Sequence, residues 1–371
     1  MRILHWTEHF WPLIGGTEVL VFHLAAEQRR AGHVVLVITD QVGGLPPQDD
    51  CDGTPIRRLP FTEALRGNDL AEVRRLIDET ILIKRAFRAD VVHLHFNGCS
   101  AWFHVLSNGP GPSPTIVSLQ TPFDALPVPP AMIDRVLDGA SWITTVSNSL
   151  LADLHRRNEA TRARSETVYN GLPDPRSAPA RLGAEGKVLL CLGRLSPEKG
   201  FDVALRAFAR IADRWPLWRL VVAGDGPRRQ ALEELTANLG LGGKVEFQGW
   251  VAPEKVPAAI DEAAVVLMPS IWREPFGLVA LQAAQRSRPV IASAIGGLPE
   301  VVRHGETGIL VPPGEVVAWS AAIGSLLSQP GEARRLGENG RLRARELFTL
   351  GRCASHFQRL YARAIAEGGG A

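Results

Sequence analysis

The chain has few cysteines, no long apolar run and almost no net charge, and each shortage excludes a class of protein. Its four cysteines, Cys51, Cys99, Cys191 and Cys353, lie far apart in 371 residues. None has a metal-ligand or CxxC spacing to another, which excludes a zinc knuckle and a dithiol redox pair. Reduced thiols in a cytoplasmic protein are expected. No uncharged apolar run approaches the roughly 18–20 residues that cross a bilayer. Glu8 interrupts the first stretch, MRILHWTEHFWP, before the apolar core of a signal peptide forms. Lys and Arg number 41 against 39 Asp and Glu, a net charge of +2. A nucleic-acid partner, which favours a strongly basic face, is therefore not expected. Low-complexity sequence is confined to the terminal GGGA.

What the chain does have is alternation. Arg2–Thr7 reads as a strand, Glu8–Gly16 as a loop, Thr17–Ala31 as a helix and Val34–Thr39 as a buried strand: one βαβ unit. Strands over Asp90–Phe96, Thr115–Gln120, Trp142–Ser147 and Glu166–Tyr169 continue the pattern. Helices over Leu70–Arg88, Pro129–Gly139 and Asn148–Arg156 lie among them. The Pro- and Gly-rich stretch 173–186 reads as a linker. Beyond it six apolar runs, starting with Val188–Leu192 and ending with Gly308–Val311, alternate with helical segments. Two α/β domains with parallel sheets follow, 1–172 and 187–351, facing a cleft at the carboxyl ends of their strands.

Four constellations carry chemistry. Arg194 lies just past an apolar strand, and Lys199 at the start of the next helix, two cations suited to a diphosphate. A solvated pair in a turn is the plain alternative. Gly15 and Gly16 open the first helix and would let backbone approach a phosphate; they are equally a simple turn. Glu274 precedes a helix read as starting at Phe276, so its carboxylate and the amides of Phe276, Gly277 and Leu278 could meet sugar hydroxyls, with Gln282 a turn further on. A glutamate favoured by the helix dipole alone is the alternative. His93 and His95 share one strand face. No third ligand is evident, so no metal is expected; His95 reads instead as a residue lining the cleft. Asp50-Cys51-Asp52 reads as surface acids. The basic helix Leu65–Arg88 suits either a solvated face or peripheral association with an anionic membrane, such as the inner face of the cell membrane.

Taken together, GGTEVLVFHLAAEQRRAGHVVLVIT, ADVVHLH, VSNSLLADL, VYNGLPDP, LGRLSPEKGFDVALRAF, LVVAGDGP, VEFQGWV, VVLMPSIWREPFGLVALQAAQRSRPVIASAIGGLPEVV and GETGILVPPGE resemble glycosyltransferase family 4. The resemblance implies the GT-B fold of two Rossmann-like domains, with a last helix, 352–367, that crosses back onto the first. It implies a retaining, metal-independent hexosyl transfer from a nucleotide-diphosphate sugar to a glycan, lipid-linked or small-molecule hydroxyl. The nucleotide sugar is a substrate, so no cofactor is implied. A UDP-sugar is favoured over a GDP-sugar. By the same resemblance Arg194 and Lys199 bind the diphosphate, helped by Gly15-Gly16, and Glu274 with residues 276–278 binds the sugar. Gly224 and Val251 lie near the base and Asn170 near the hinge. His95 and Trp11 are candidates on the acceptor side. Two positions depart from the family pattern: Gln120 stands where many members carry histidine, and Gln282 where they carry glutamate. These departures keep two rivals open, a non-catalytic nucleotide-sugar binding subunit and a nucleotide-sugar epimerase of the same fold.

Overall fold

The computed structural model describes residues 1–67, 69–109, 111–175, 177–180 and 187–368. It divides into two units, Met1–Pro173 with Leu350–Ala371, and Asp174–Thr349.

The first unit holds eight strands: β1 Arg2–Thr7, β2 Val34–Asp40, β3 Gln48–Cys51, β4 Thr54–Leu59, β5 Val91–Phe96, β6 Thr115–Leu119, β7 Trp142–Thr145 and β8 Ser165–Thr167. They pair in the order β3-β4-β2-β1-β5-β6-β7-β8. All neighbours are parallel except β3 and β4. β5 and β6 are buried along their whole length. That is the burial of strands covered on both faces, so their polar members His93, His95, Thr115 and Ser118 are buried with the apolar ones. The last helix, Leu350–Gly368, packs Phe357, Leu360 and Tyr361 against Ile3, Leu20, Val91 and Ile116.

Four elements of this unit are not visible in the sequence pattern: β3, β4 and the six-residue helices Phe61–Arg66 and Ala101–Leu106. The acids of Asp50-Cys51-Asp52 are a hairpin edge rather than a loop, and the Cys51 side chain is buried beneath them.

The second unit holds six parallel strands: β9 Val188–Leu192, β10 Arg219–Ala223, β11 Val245–Gly249, β12 Val265–Met268, β13 Val290–Ser293 and β14 Gly308–Val311. Their order is β11-β10-β9-β12-β13-β14. Leu189, Cys191, Leu220, Val222, Val265, Leu267 and Ile291 form its core with Phe201, Phe208 and Trp319 from the helices. Of the stretch 173–186, Ser177, Ala178 and Ala180 are tied to this unit. Their carbonyls accept hydrogen bonds from Arg286 and Arg288, which also flank Asp261. Residues 176 and 181–186 lie outside the described residues.

Candidate functional site

In an open parallel sheet, ligands meet the carboxyl ends of the strands where the order reverses. In the second unit that reversal lies between β9 and β12. The segment after β9 carries Arg194 and Lys199, and the segment after β12 carries Glu274. The geometry joins them: Lys199 Nζ lies 2.8 and 2.9 Å from the two carboxylate oxygens of Glu274. Ser270 Oγ donates to the same carboxylate at 3.2 Å. Lys199 is not in the helix but closes a short 3₁₀ turn, Pro197–Lys199, before Gly200. A side chain on Gly200 would meet the Pro269 carbonyl, so the two segments are in backbone contact. Arg194 is exposed, with no hydrogen bond or ion pair to its guanidinium among the described residues.

The backbone around this pair is equally close-packed. Gly224, at φ +139°, lies against the Gly193 carbonyl and donates its N–H to Gly249 at 2.7 Å. Gly297 donates to the Glu274 carbonyl at 2.7 Å. Val251 is half-buried beside the exposed Trp250. The expectation of a helix starting at Phe276 is corrected. Gly277, at φ +104°, breaks the backbone, and the helix is Leu278–Gln285. The Phe276 ring is buried, edge-on to Phe348. Gln282 lies one turn into that helix, partly exposed.

In the first unit the order reverses between β1 and β5. Glu8 follows β1 and is buried there. Its carboxylate accepts from Ser100 N–H at 2.9 Å and lies near the Thr62 hydroxyl and the Cys99 thiol. Burial and the nearby Glu8 carboxylate help push the Cys99 thiol up to about 11. Burial also raises Asp40, at the end of β2, above the usual carboxylate range. Gly15 caps the first helix, Gly16–Arg30, with no side-chain cap; the Glu18 carboxylate folds over Gly15 instead. Trp11 is exposed and stacks on Phe22. Asn170 is buried.

His95 differs from expectation. It is 1% exposed and faces into the unit, not outward. The expectation that no third potential ligand lies near is also corrected. β1 pairs with β5 so that His5 stands opposite His93. Ring nitrogens of His5, His93 and His95 lie within 4.8 Å of one another. Each of the six already has a hydrogen-bond partner. Burial holds all three rings below the usual histidine range, His5 at about 4, so they are neutral at pH 7. Sequence reasoning missed His5 because only the strand register brings it to the other two.

Comparison with known proteins decides the family. Residues 14–175 match the profile described as Glycosyltransferase Family 4, and residues 177–343 that described as Glycosyl transferases group 1. D-inositol 3-phosphate glycosyltransferase of a Nocardioides species is 30% identical over 95% of this chain and 86% of its own length. The chain belongs to glycosyltransferase family 4. It spans about half the length of the first curated relatives it matches. One is the GDP-mannose-dependent alpha-(1-6)-phosphatidylinositol monomannoside mannosyltransferase of Mycolicibacterium smegmatis. That enzyme is 36% identical over 46% of this chain and 47% of its own length. The fold is GT-B. Anabaena HepE, solved with UDP and glucose, superposes with a TM-score of 0.79 at 19% identity, covering 98% of this chain and 99% of that one. Among the described residues no helix is long and apolar enough to cross a membrane. Of the basic helix, here Leu70–Phe87, Arg75 pairs with Glu72 and Glu79, and Lys84 donates to the His104 carbonyl.

Proposed function

We propose that this family 4 member transfers a hexosyl group from a nucleotide-diphosphate sugar to a hydroxyl acceptor, with retention and without a metal. The observation that carries the reading is the Lys199–Glu274 pair at the strand-order reversal, with the exposed Arg194 on the same segment after β9 as Lys199. Leaving-group departure loads negative charge onto the diphosphate. Arg194 and Lys199 stand ready to stabilise it before the reaction begins. The incoming diphosphate competes with Glu274 for Lys199, and Glu274 is thereby released to accept hydrogen bonds from the sugar. The amides of Gly277 and Leu278 lie at the N-terminus of the following helix and add donors there. The acceptor hydroxyl attacks the anomeric carbon from the leaving-group face as the carbon–phosphate-oxygen bond breaks. Its proton passes to a phosphate oxygen, and configuration is retained. Gly15-Gly16, Gly224, Val251, Asn170, Gln120 and Gln282 complete the donor-side assignment. Trp11 serves the acceptor, a glycan, lipid-linked or small-molecule hydroxyl.

A UDP-sugar is favoured over a GDP-sugar. The structure of HepE with UDP and glucose supports UDP, while the mannosyltransferase relative keeps GDP as the competitor. Thermal unfolding with UDP, GDP, ADP and dTDP in EDTA tests the reading. A nucleotide at 100 times its Kd adds about 2.7 kcal/mol. One nucleotide is expected to raise Tm, and the corresponding sugar nucleotide to support transfer. No shift with any of the four would remove the donor site. Binding without turnover would favour a non-catalytic subunit, and isomerisation of the donor without acceptor an epimerase.

A further inference from the structure

Eight buried polar side chains of the first unit form one continuous chain. Gln120 Nε2 lies 3.0 Å from His95 Nδ1, and His95 Nε2 lies 3.0 Å from His5 Nδ1. His5 Nε2 lies 2.7 Å from Gln28 Oε1, and Gln28 Nε2 donates to the Tyr361 hydroxyl at 3.1 Å. Tyr361 lies 2.6 Å from His93 Nδ1, and His93 Nε2 lies 2.7 Å from Ser118 Oγ. Ser118 Oγ lies 2.6 Å from Thr144 Oγ1. The chain links the end of β6 to β5, β1, the first helix and the last helix, then returns through β5 to β6 and β7.

Its polarity follows from the chemistry of each link. Gln28 Oε1 only accepts, so His5 Nε2 carries the hydrogen. His5 is neutral, so its Nδ1 is bare and must receive a hydrogen from His95 Nε2. His95 is neutral too, so its Nδ1 accepts from the Gln120 amide nitrogen. The Gln120 amide is oriented to do so. On the other side Gln28 donates to Tyr361, Tyr361 to His93, and His93 to Ser118. The amides of Gln28 and Gln120 agree on one direction, and each link pairs one donor with one acceptor. Reversing the direction requires both amides and all three tautomers to change together. Gln120 directly follows β6, at the carboxyl edge of the sheet. Its carbonyl oxygen has no donor among the described residues.

We infer that Tyr361, Gln28, His5 and His95 are positioning residues that hold Gln120 with its amide nitrogen inward and its carbonyl oxygen presented to a hydroxyl of the donor sugar. This rests on the assignment of Gln120 to the donor side. The same set of hydrogen bonds leaves no ring nitrogen of the histidine cluster open to a metal.

Histidine-labelled protein read by nitrogen-15 NMR tests the relay without ligand. His5, His93 and His95 are expected as neutral Nε2–H tautomers at pH 7. A protonated ring or an Nδ1–H tautomer at His95 would overturn the polarity. The second arm uses Tyr361→Phe, which keeps the ring and removes the hydroxyl. Mixed tautomers at His5 and His95 are expected. UDP-glucose affinity should fall about two- to tenfold, the effect of one hydrogen bond, with UDP affinity unchanged. In a Gln120→Ala background the Tyr361→Phe effect should vanish. Equal loss of UDP and UDP-glucose, or an undiminished effect without Gln120, would reduce the chain to a structural role and sink the proposal. If the wild-type protein binds neither nucleotide, the donor reading fails, and the tautomers alone decide the relay.

Discussion

Lys199 and Glu274 hold each other at 2.8 Å, so a substitution at either one also changes the other. Lys199→Ala and Arg194→Ala should each lower turnover by about a hundredfold or more, the scale of a lost preorganised charge at a developing anion. Steady-state kinetics with the identified donor check this, and near-normal turnover in both variants would refute the roles. The buried histidines give a second residue-scale prediction. In the unfolded chain a histidine takes up its proton near pH 6.5, while folded His5 resists until about 4. The unfolded state therefore binds more protons across that window, and stability falls as pH drops from about 6.5 to 4. His5 alone accounts for about 3 kcal/mol, and His93 and His95 act in the same direction. Asp40 and Glu18, raised by burial, act with the opposite sign: the stability they oppose is recovered as pH falls and they protonate. Urea unfolding at pH 7, 6, 5 and 4.5 should show a net decline; a flat or rising profile would show that the buried histidines do not outweigh the buried carboxylates.

At the scale of elements, the loops after β9 and β10 act as one object. Gly224 is in left-handed backbone with the Gly193 carbonyl where a Cβ would go. Gly224→Ala should cost about 2 kcal/mol and displace Arg194, weakening nucleotide binding as well as stability. Thermal unfolding and nucleotide titration read the two effects, and wild-type values in both would contradict the close packing. The six strands of this unit were legible within a residue or two, since each is a short apolar run between loops. β3 and β4 were not. QDDC is polar and TPIRRL interrupts its two core residues, Ile56 and Leu59, with Arg57 and Arg58, and strand β3 at the sheet edge leaves most of its side chains exposed. The helices Phe61–Arg66 and Ala101–Leu106 are too short for a helical period to register. The start of the helix at Leu278 was misplaced because composition does not report the positive φ of Gly277. Arg194, Lys199 and Glu274 were readable as candidates, but the ion pair between residues 75 positions apart was not. His5 shows the same limit: its neighbours His93 and His95 are set by strand register.

The whole molecule places two distant parts of the chain in its first unit, so that unit is completed only by the last helix. Leu350 N–H donates to the Leu172 carbonyl at 2.9 Å. His356 Nε2 lies 2.7 Å from a Glu166 oxygen, and Tyr361 meets Gln28 and His93. Phe357, Leu360 and Tyr361 are each at most 5% exposed. Burial of three such side chains is worth about 1.5–3 kcal/mol apiece. Their sum is comparable with the roughly 5–15 kcal/mol that stabilises a whole domain. Removing residues 350–371 should therefore unfold residues 1–173 while the second unit, whose core uses none of these side chains, stays folded. Limited proteolysis with mass spectrometry separates the cases. Fragments from 1–173 should appear early, with 187–349 protected. Adding a peptide of residues 350–368 in trans should restore protection, because the helix contributes packing and hydrogen bonds rather than covalent continuity. Equal protection of both units after truncation would mean that the first unit folds without its last helix, and that its core lies in the sheet and the first helix alone.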